Sequence, residues 1–151
     1  MNDRTSVQKF ALIFGVVYAL VGLLGFIPGL SQAPPSGAPA LQVDSAYGYL
    51  LGIFPVNLPH NLVHLLVGVL GIVSARALGS ARTYSRAVAI VFGVLTVMGL
   101  IPDLNTTLGL IPLFGADVAL HTATTLAAAY FGWFASDARR ARTQTAAARA
   151  N

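Results

Sequence analysis

The chain has 151 residues, of which 56% are hydrophobic and only 9% are charged, and it contains no Glu. Soluble domains carry about 25% charged residues, so this composition excludes an ordinary soluble domain and predicts a membrane protein. The net charge of +4 is explained by where the basic residues lie in the predicted topology, and we therefore expect no nucleic-acid partner. Because cysteine is absent, disulfides and thiolate metal ligands are excluded.

Apolar stretches in the sequence predict four membrane-spanning helices. A helix needs about 20 residues to cross the hydrocarbon core of a bilayer, and shorter stretches extend into flanking residues. We expect an all-α, four-helix transmembrane bundle in residues 1–136 and a basic cytoplasmic tail in residues 137–151. The predicted helices cover, approximately, residues 10–30, 58–75, 85–101 and 111–135.

The first apolar stretch is longer than the apolar core of a typical signal peptide, so we interpret it as a retained helix. Residues 31–43, which follow it, are rich in Pro, Ser and Ala and predict an irregular loop. Residues 44–54 predict a turn or an interfacial helix, because Tyr47, Tyr49 and Phe54 suit the headgroup level of a bilayer.

Two pairs of polar residues interrupt the apolar stretches. His60 and His64 lie four residues apart at the start of the second helix, which Asn57 is expected to cap. Asp117 and His121 have the same spacing near the start of the fourth. Residues at this spacing share one face of a helix, so each pair directs its side chains to one side.

An internal repeat relates the two pairs. The motif Leu-Gly-Ile-Phe-Pro ahead of His60 and His64 recurs as Leu-Gly-Leu-Ile-Pro, at the same distance, ahead of Asp117 and His121. The first and third stretches also share the motif Gly-x-Ile-Pro. We therefore expect two tandem helical hairpins related by a pseudo-two-fold axis along the membrane normal. That axis would bring the two polar pairs together.

Basic residues predict the orientation of the bundle, because Lys and Arg near helix ends are retained on the cytoplasmic side. All nine lie outside the apolar runs: before the first, between the second and the third, which begins at residue 87, or after the fourth. The connections at residues 31–57 and 102–110 contain none, and they carry Asp44 and Asp103. We predict a multi-pass protein of the cell inner (plasma) membrane with both termini in the cytoplasm.

The polar cluster admits three hypotheses. As metal ligands, His60, His64, His121 and Asp117 would suit a four-coordinate Zn, Cu or Fe ion near the outer leaflet. Alternatively, His64 and His121 are the axial ligands of haem b in an electron carrier or sensor. In the third hypothesis the cluster is an Asp–His hydrogen-bond network in a structural or partner-binding scaffold.

No signature of catalysis accompanies this cluster. The motifs GxSxG and HExxH and a phosphate-binding loop are all absent from the sequence, which favours a non-enzymatic role. Besides the lipid bilayer, the sequence leaves open a second copy of the chain or another membrane protein as partner.

The segment Gly52-Ile-Phe-Pro-Val-Asn-Leu-Pro-His60-Asn-Leu-Val-His64, with Asp117-Val-Ala-Leu-His121 downstream, resembles a family of small bacterial four-helix membrane proteins known only as a domain of unknown function. The similarity covers about residues 10–133, and F-P-V-N-x-x-H-N-x-x-H is its most specific part. The resemblance implies a four-span protein of the bacterial inner membrane. It implies no activity, cofactor or substrate.

Overall fold

A computed structural model of the protein describes residues 4–136, so the predicted basic tail, residues 137–151, lies outside the described residues. The described chain folds into four α-helices and one small antiparallel sheet. In chain order these are α1 (Ser6–Leu24), β1 (Ser31–Gln32), β2 (Gly48–Leu50), β3 (Phe54–Val56), α2 (Leu58–Ser74), α3 (Leu78–Leu100) and α4 (Ala116–Ala129). A π-helical segment, Tyr130–Phe134, continues α4.

Capping and proline explain where α1 differs from its predicted range of 10–30. It begins earlier because the Thr5 hydroxyl accepts a hydrogen bond from the backbone N–H of Gln8, whose side chain accepts one from the Thr5 N–H in return. It ends at Leu24 and does not reach residue 30. Pro28 lies four residues after Leu24, and the residue that precedes a proline, here Ile27, is disfavoured in a helix.

Two arginines lie inside α3, which begins before the predicted residue 85. Both arginines are accommodated within α3, because their guanidinium groups bind backbone carbonyls at the end of the neighbouring helix. Arg86 Nε donates to the Gly132 carbonyl at 2.9 Å, and Arg82 Nη2 donates to the Ala135 carbonyl at 3.1 Å. These bonds satisfy acceptors that the end of a helix leaves without partners.

The sheet is a departure from the all-α expectation. Strand β2 lies between β1 and β3 in antiparallel register, with Ser31 opposite Leu50 and Tyr49 opposite Pro55. Of the two alternatives predicted for residues 44–54, the interfacial helix is wrong, because this segment contains β2, whereas a turn is present at residues 51–53. Aromatic and β-branched residues favour strands. The predicted irregular loop at residues 31–43 is confirmed for residues 33–43, whereas residues 31–32 form β1.

The helices pack as two hairpins. Contacts of α1 are chiefly with α2, and those of α3 are chiefly with α4. Small residues allow the close approach of α1 and α2: a Cβ on Gly15 would lie 2.7 Å from the carbonyl oxygen of Gly68, and a Cβ on Gly68 would lie 2.7 Å from Cβ of Ala19. Seams of small residues are typical of helix packing in lipid.

The outward surfaces of the helices carry large aliphatic side chains. Two helices, α1 and α3, are long and apolar enough to cross a membrane, and α2 is a shorter apolar helix. Exposed aliphatic residues on the three helices include Ile13, Val17, Leu20, Leu62, Leu66, Val69, Ile90, Val94 and Val97. An apolar surface of this extent marks a face that meets lipid or another protein.

The tight α1–α2 seam generates a prediction about stability. Replacing Gly15 with Ala should lower the free energy of unfolding by about 1–3 kcal/mol, because the new methyl group overpacks against the α2 backbone. Replacing Gly79 with Ala is the matched control, since a Cβ there meets no atom within 4 Å, and it should leave stability unchanged or raise it. Thermal unfolding of the two purified variants measures the difference. Equal stability of both variants would contradict the close approach.

Candidate metal centre

Asn57 positions the first histidine pair. Its side-chain oxygen accepts a hydrogen bond from the His60 backbone N–H at 3.1 Å, which caps α2. Its Nδ2 atom donates to the carbonyl oxygens of Val43 and Leu110, each at 2.8 Å. The amide therefore ties the start of α2 to both loops at this end of the molecule. The sequence predicted the cap but not the two bonds to the loops.

The loop before α4 covers the histidines. Its path is held by hydrogen bonds from the Leu113 N–H to the Asn105 carbonyl at 2.7 Å and from the Ile111 N–H to the Thr106 carbonyl at 3.1 Å. Gly115, with φ of 66°, then turns the chain into α4. The predicted fourth helix at 111–135 therefore begins later, at Ala116. Ile111 and Leu113 are left against the histidine cluster.

Three imidazoles converge between α2 and α4. Each of His60, His64 and His121 places one ring nitrogen within 4.8 Å of those of the other two, and all three side chains are buried. The ring centroids of His60 and His64 are 4.3 Å apart, and those of His60 and His121 are 6.2 Å apart. The three histidines that the sequence predicts as site residues therefore lie together in the structure.

Asp117, the fourth predicted site residue, lies beside this cluster. Its side chain is buried, and its Oδ2 atom is 3.4 Å from His121 Nε2, one turn along α4. That distance is longer than an ordinary N–H···O hydrogen bond, and neither atom has a hydrogen-bond partner in the described part of the chain. The carboxylate does not join the group formed by the three histidines. The four-ligand set stays a prediction.

Ring nitrogens of the cluster lack partners. Among residues 4–136, no hydrogen bond is made by either ring nitrogen of His64 or His121, or by Nδ1 of His60. The backbone carbonyl of Pro55 is an acceptor within reach of the His60 ring. Buried polar groups are nearly always paired, and each one left unpaired costs about 1–3 kcal/mol. Direct hydrogen bonds between the side chains of this cluster are therefore not formed within residues 4–136.

A small cavity adjoins the imidazoles. Its volume is about 40 Å³, whereas pockets for organic ligands measure about 300–1,000 Å³. Apart from the histidines and Thr107, the side chains that line it are apolar, among them Phe92 and Leu113. The space suits a single ion with its smallest ligands.

Aromatic rings support the histidines in the same way in both hairpins. The Tyr18 ring meets His64 edge to face with centroids 5.1 Å apart, and the Phe92 ring meets His121 in the same way at 4.8 Å. Tyr18 and Phe92 each lie seven residues before the glycine of a Gly-x-Ile-Pro motif. The hydroxyls of Tyr18 and Thr124 are 2.7 Å apart and form a buried hydrogen bond. The contact of Tyr18 with His64 was missed, although alignment of the repeated motifs pairs Tyr18 with Phe92.

Asn61 is a further buried polar residue near the site, and no pattern in the sequence predicts a role for it. Its amide is fully buried against Gly25, and both of its polar side-chain atoms lack a hydrogen-bond partner within the described residues. The equivalent contact in the second hairpin joins Gly99 to Val118, where a Cβ on the glycine would lie 2.9 Å from Cγ2 of the valine. The hairpins are therefore alike in packing but differ in polarity at this position.

Comparison with known proteins places the chain in a family without assigning it a role. The family model described as "Domain of unknown function (DUF4383)" matches residues 8–134. No curated protein and no solved structure matches the chain. The matched range contains all four predicted site residues and nearly all of the described fold.

The bonds of Asn57 predict a large effect on stability. Replacing Asn57 with Ala should lower the free energy of unfolding by about 2–4 kcal/mol, because the helix cap and the two hydrogen bonds to the loops are lost together. Replacing it with Ser should cost about 1 kcal/mol less, since a serine hydroxyl still caps the helix. Chemical denaturation of the purified variants compares them. If the Ala variant unfolds like the wild type, Asn57 does not hold the loops.

Proposed function

This chain belongs to the family of unknown function that its sequence matches, and we propose that it is an integral membrane protein that binds one transition-metal ion near the outer leaflet. The observation that carries the proposal is the cluster of His60, His64 and His121. One ring nitrogen from each of these three buried side chains lies within 4.8 Å of those of the other two, and each ring has at least one nitrogen without a hydrogen-bond partner among the described residues.

The spacing of the nitrogens supports coordination of an ion. Zinc–nitrogen bonds of about 2.0–2.1 Å in a tetrahedral site place ligand atoms about 3.4 Å apart. Small rotations of side chains would bring the observed nitrogens to that separation. Imidazole suits Zn, Cu and Fe alike, so the ligand type leaves these three open.

Haem and scaffold alternatives have weaker support. A porphyrin requires far more space than the cavity of about 40 Å³ beside His64 and His121. A scaffold held together by polar bonds would be expected to pair the nitrogens that are left without partners. A bound cation would give one nitrogen of each ring a partner at once.

Surface chemistry supports insertion in a membrane. Large aliphatic side chains face outward on the helices, whereas the interface between α1 and α2 is built on small residues. That arrangement is what lipid, rather than water, favours. With α1 and α3 as spans and the basic residues inside, the pseudo-two-fold axis would run along the membrane normal and the histidines would lie toward the outer leaflet.

Metal affinity provides the first test of the proposal. Replacing His64 with Ala should weaken binding of Zn²⁺ by more than about 100-fold, because loss of a ligand exceeds the usual 10–100-fold cost of losing an outer-shell partner. Zn²⁺ should also raise the unfolding temperature of the wild type but not of the variant. Competition with a chromophoric chelator, on protein stripped of metal in detergent, measures the affinity.

Tyr18→Phe is the control for that comparison. It keeps the ring against His64 and removes only the hydroxyl that is bonded to Thr124. Its stability should fall by about 1–3 kcal/mol, while its affinity for Zn²⁺ should stay close to that of the wild type. Equal binding of Zn²⁺ by the His64 variant and the wild type would exclude the histidine site.

Topology provides a second, independent test. Because the chain contains no cysteine, a single introduced cysteine can be labelled without a signal from native thiols of the chain. A membrane-impermeant maleimide added to intact cells should label Ser36→Cys, in the acidic outer loop, but not Ala77→Cys, in the basic connection between α2 and α3. Both positions are exposed in the structure. Labelling of Ala77→Cys alone would reverse the orientation and place the histidines at the inner leaflet.

A further inference from the structure

The coordination number of the proposed ion can be inferred from the position of Asp117. We infer that Asp117 is not a ligand but a positioning residue that orients His121, so that the ion has three imidazole ligands and one position for a water-sized exogenous ligand. The inference rests on the metal site proposed above.

The geometry separates Asp117 from the ligand group. The three histidines each reach both of the others within 4.8 Å, and the carboxylate is not part of this set. Its Oδ2 atom faces Nε2 of His121 at 3.4 Å. A modest closure of that gap would make Nε2–H a donor to the carboxylate and leave Nδ1 of His121 for the ion.

A carboxylate behind a ligating imidazole has a recognised effect. Histidines that bind a metal almost always donate their second N–H to a carboxylate, a carbonyl or water, and this bond fixes the tautomer and raises the basicity of the ring. For His60, the carbonyl of Pro55 can fill the same position. Asp117 is suited to this role because it is fully buried and lies one helical turn from His121.

The cavity determines what can occupy the fourth position. A water molecule needs about 10–15 Å³ of free space, so a cavity of about 40 Å³ admits the ion together with a water or hydroxide ligand. Its walls include Leu95, Ile111 and Leu113, which offer no donor atom from their side chains, and the hydroxyl of Thr107, which donates to the Ile111 carbonyl. Three protein ligands and one open position are typical of reactive rather than purely structural zinc sites.

X-ray absorption of the Zn²⁺-loaded protein in detergent tests the inference. The wild type should show three imidazole ligands and one light ligand, and Asp117→Ala should keep the same shell while its affinity for Zn²⁺ falls 10–100-fold. Asp117→Asn retains an acceptor oxygen and should lose less affinity. Asp103→Asn removes an exposed carboxylate and should match the wild type in both measurements.

The outcomes separate this inference from the metal site on which it rests. Loss of the oxygen ligand in Asp117→Ala would make Asp117 a ligand and overturn the inference alone. Wild-type affinity in Asp117→Ala would show that the carboxylate does not act on the site, again without excluding the histidine centre. A wild-type protein that takes up no Zn²⁺ would overturn the metal proposal and this inference together.

Discussion

The burial of imidazole rings without hydrogen-bond partners is the constraint on which the rest of the molecule depends. Each unpaired nitrogen costs about 1–3 kcal/mol, and His60, His64 and His121 gather several of them in one small space. A fold that keeps such a cluster needs a compensating partner for it. A metal cation coordinated by the rings supplies a partner for one nitrogen of each ring in a single step.

Helix packing makes this cluster possible. Close approach at Gly15 and Gly68 brings α1 against α2, so that Tyr18 of α1 reaches both His64 and Thr124. The hydrogen bond between Tyr18 and Thr124 ties the two hairpins together directly below the histidines. Asn57 then fastens the loops over the other end of the site. The histidines are thereby enclosed by packing on one side and by hydrogen-bonded loops on the other.

Much of this arrangement can be predicted from local patterns. Apolar runs predict the helices, the spacing of His60 and His64 predicts that they share one helix face, and the repeated motif aligns the two polar pairs. The family resemblance was confirmed by the match to residues 8–134. The small sheet was not predicted, since its strands span only two or three residues and depend on pairing between distant segments. The place of Asp117 beside the cluster depends on the exact positions of side chains, which spacing along a helix does not determine.

Elemental analysis of the wild-type protein, purified in detergent without chelator, together with its visible absorption spectrum, shows whether the three histidines hold a metal ion. We expect close to one first-row transition-metal ion per chain and no Soret band. A Soret band in place of such an ion would instead identify the histidines as haem ligands. A metal-free preparation that also fails to take up added Zn²⁺, Cu²⁺ or Fe²⁺ would contradict the account and leave the buried imidazoles without a partner.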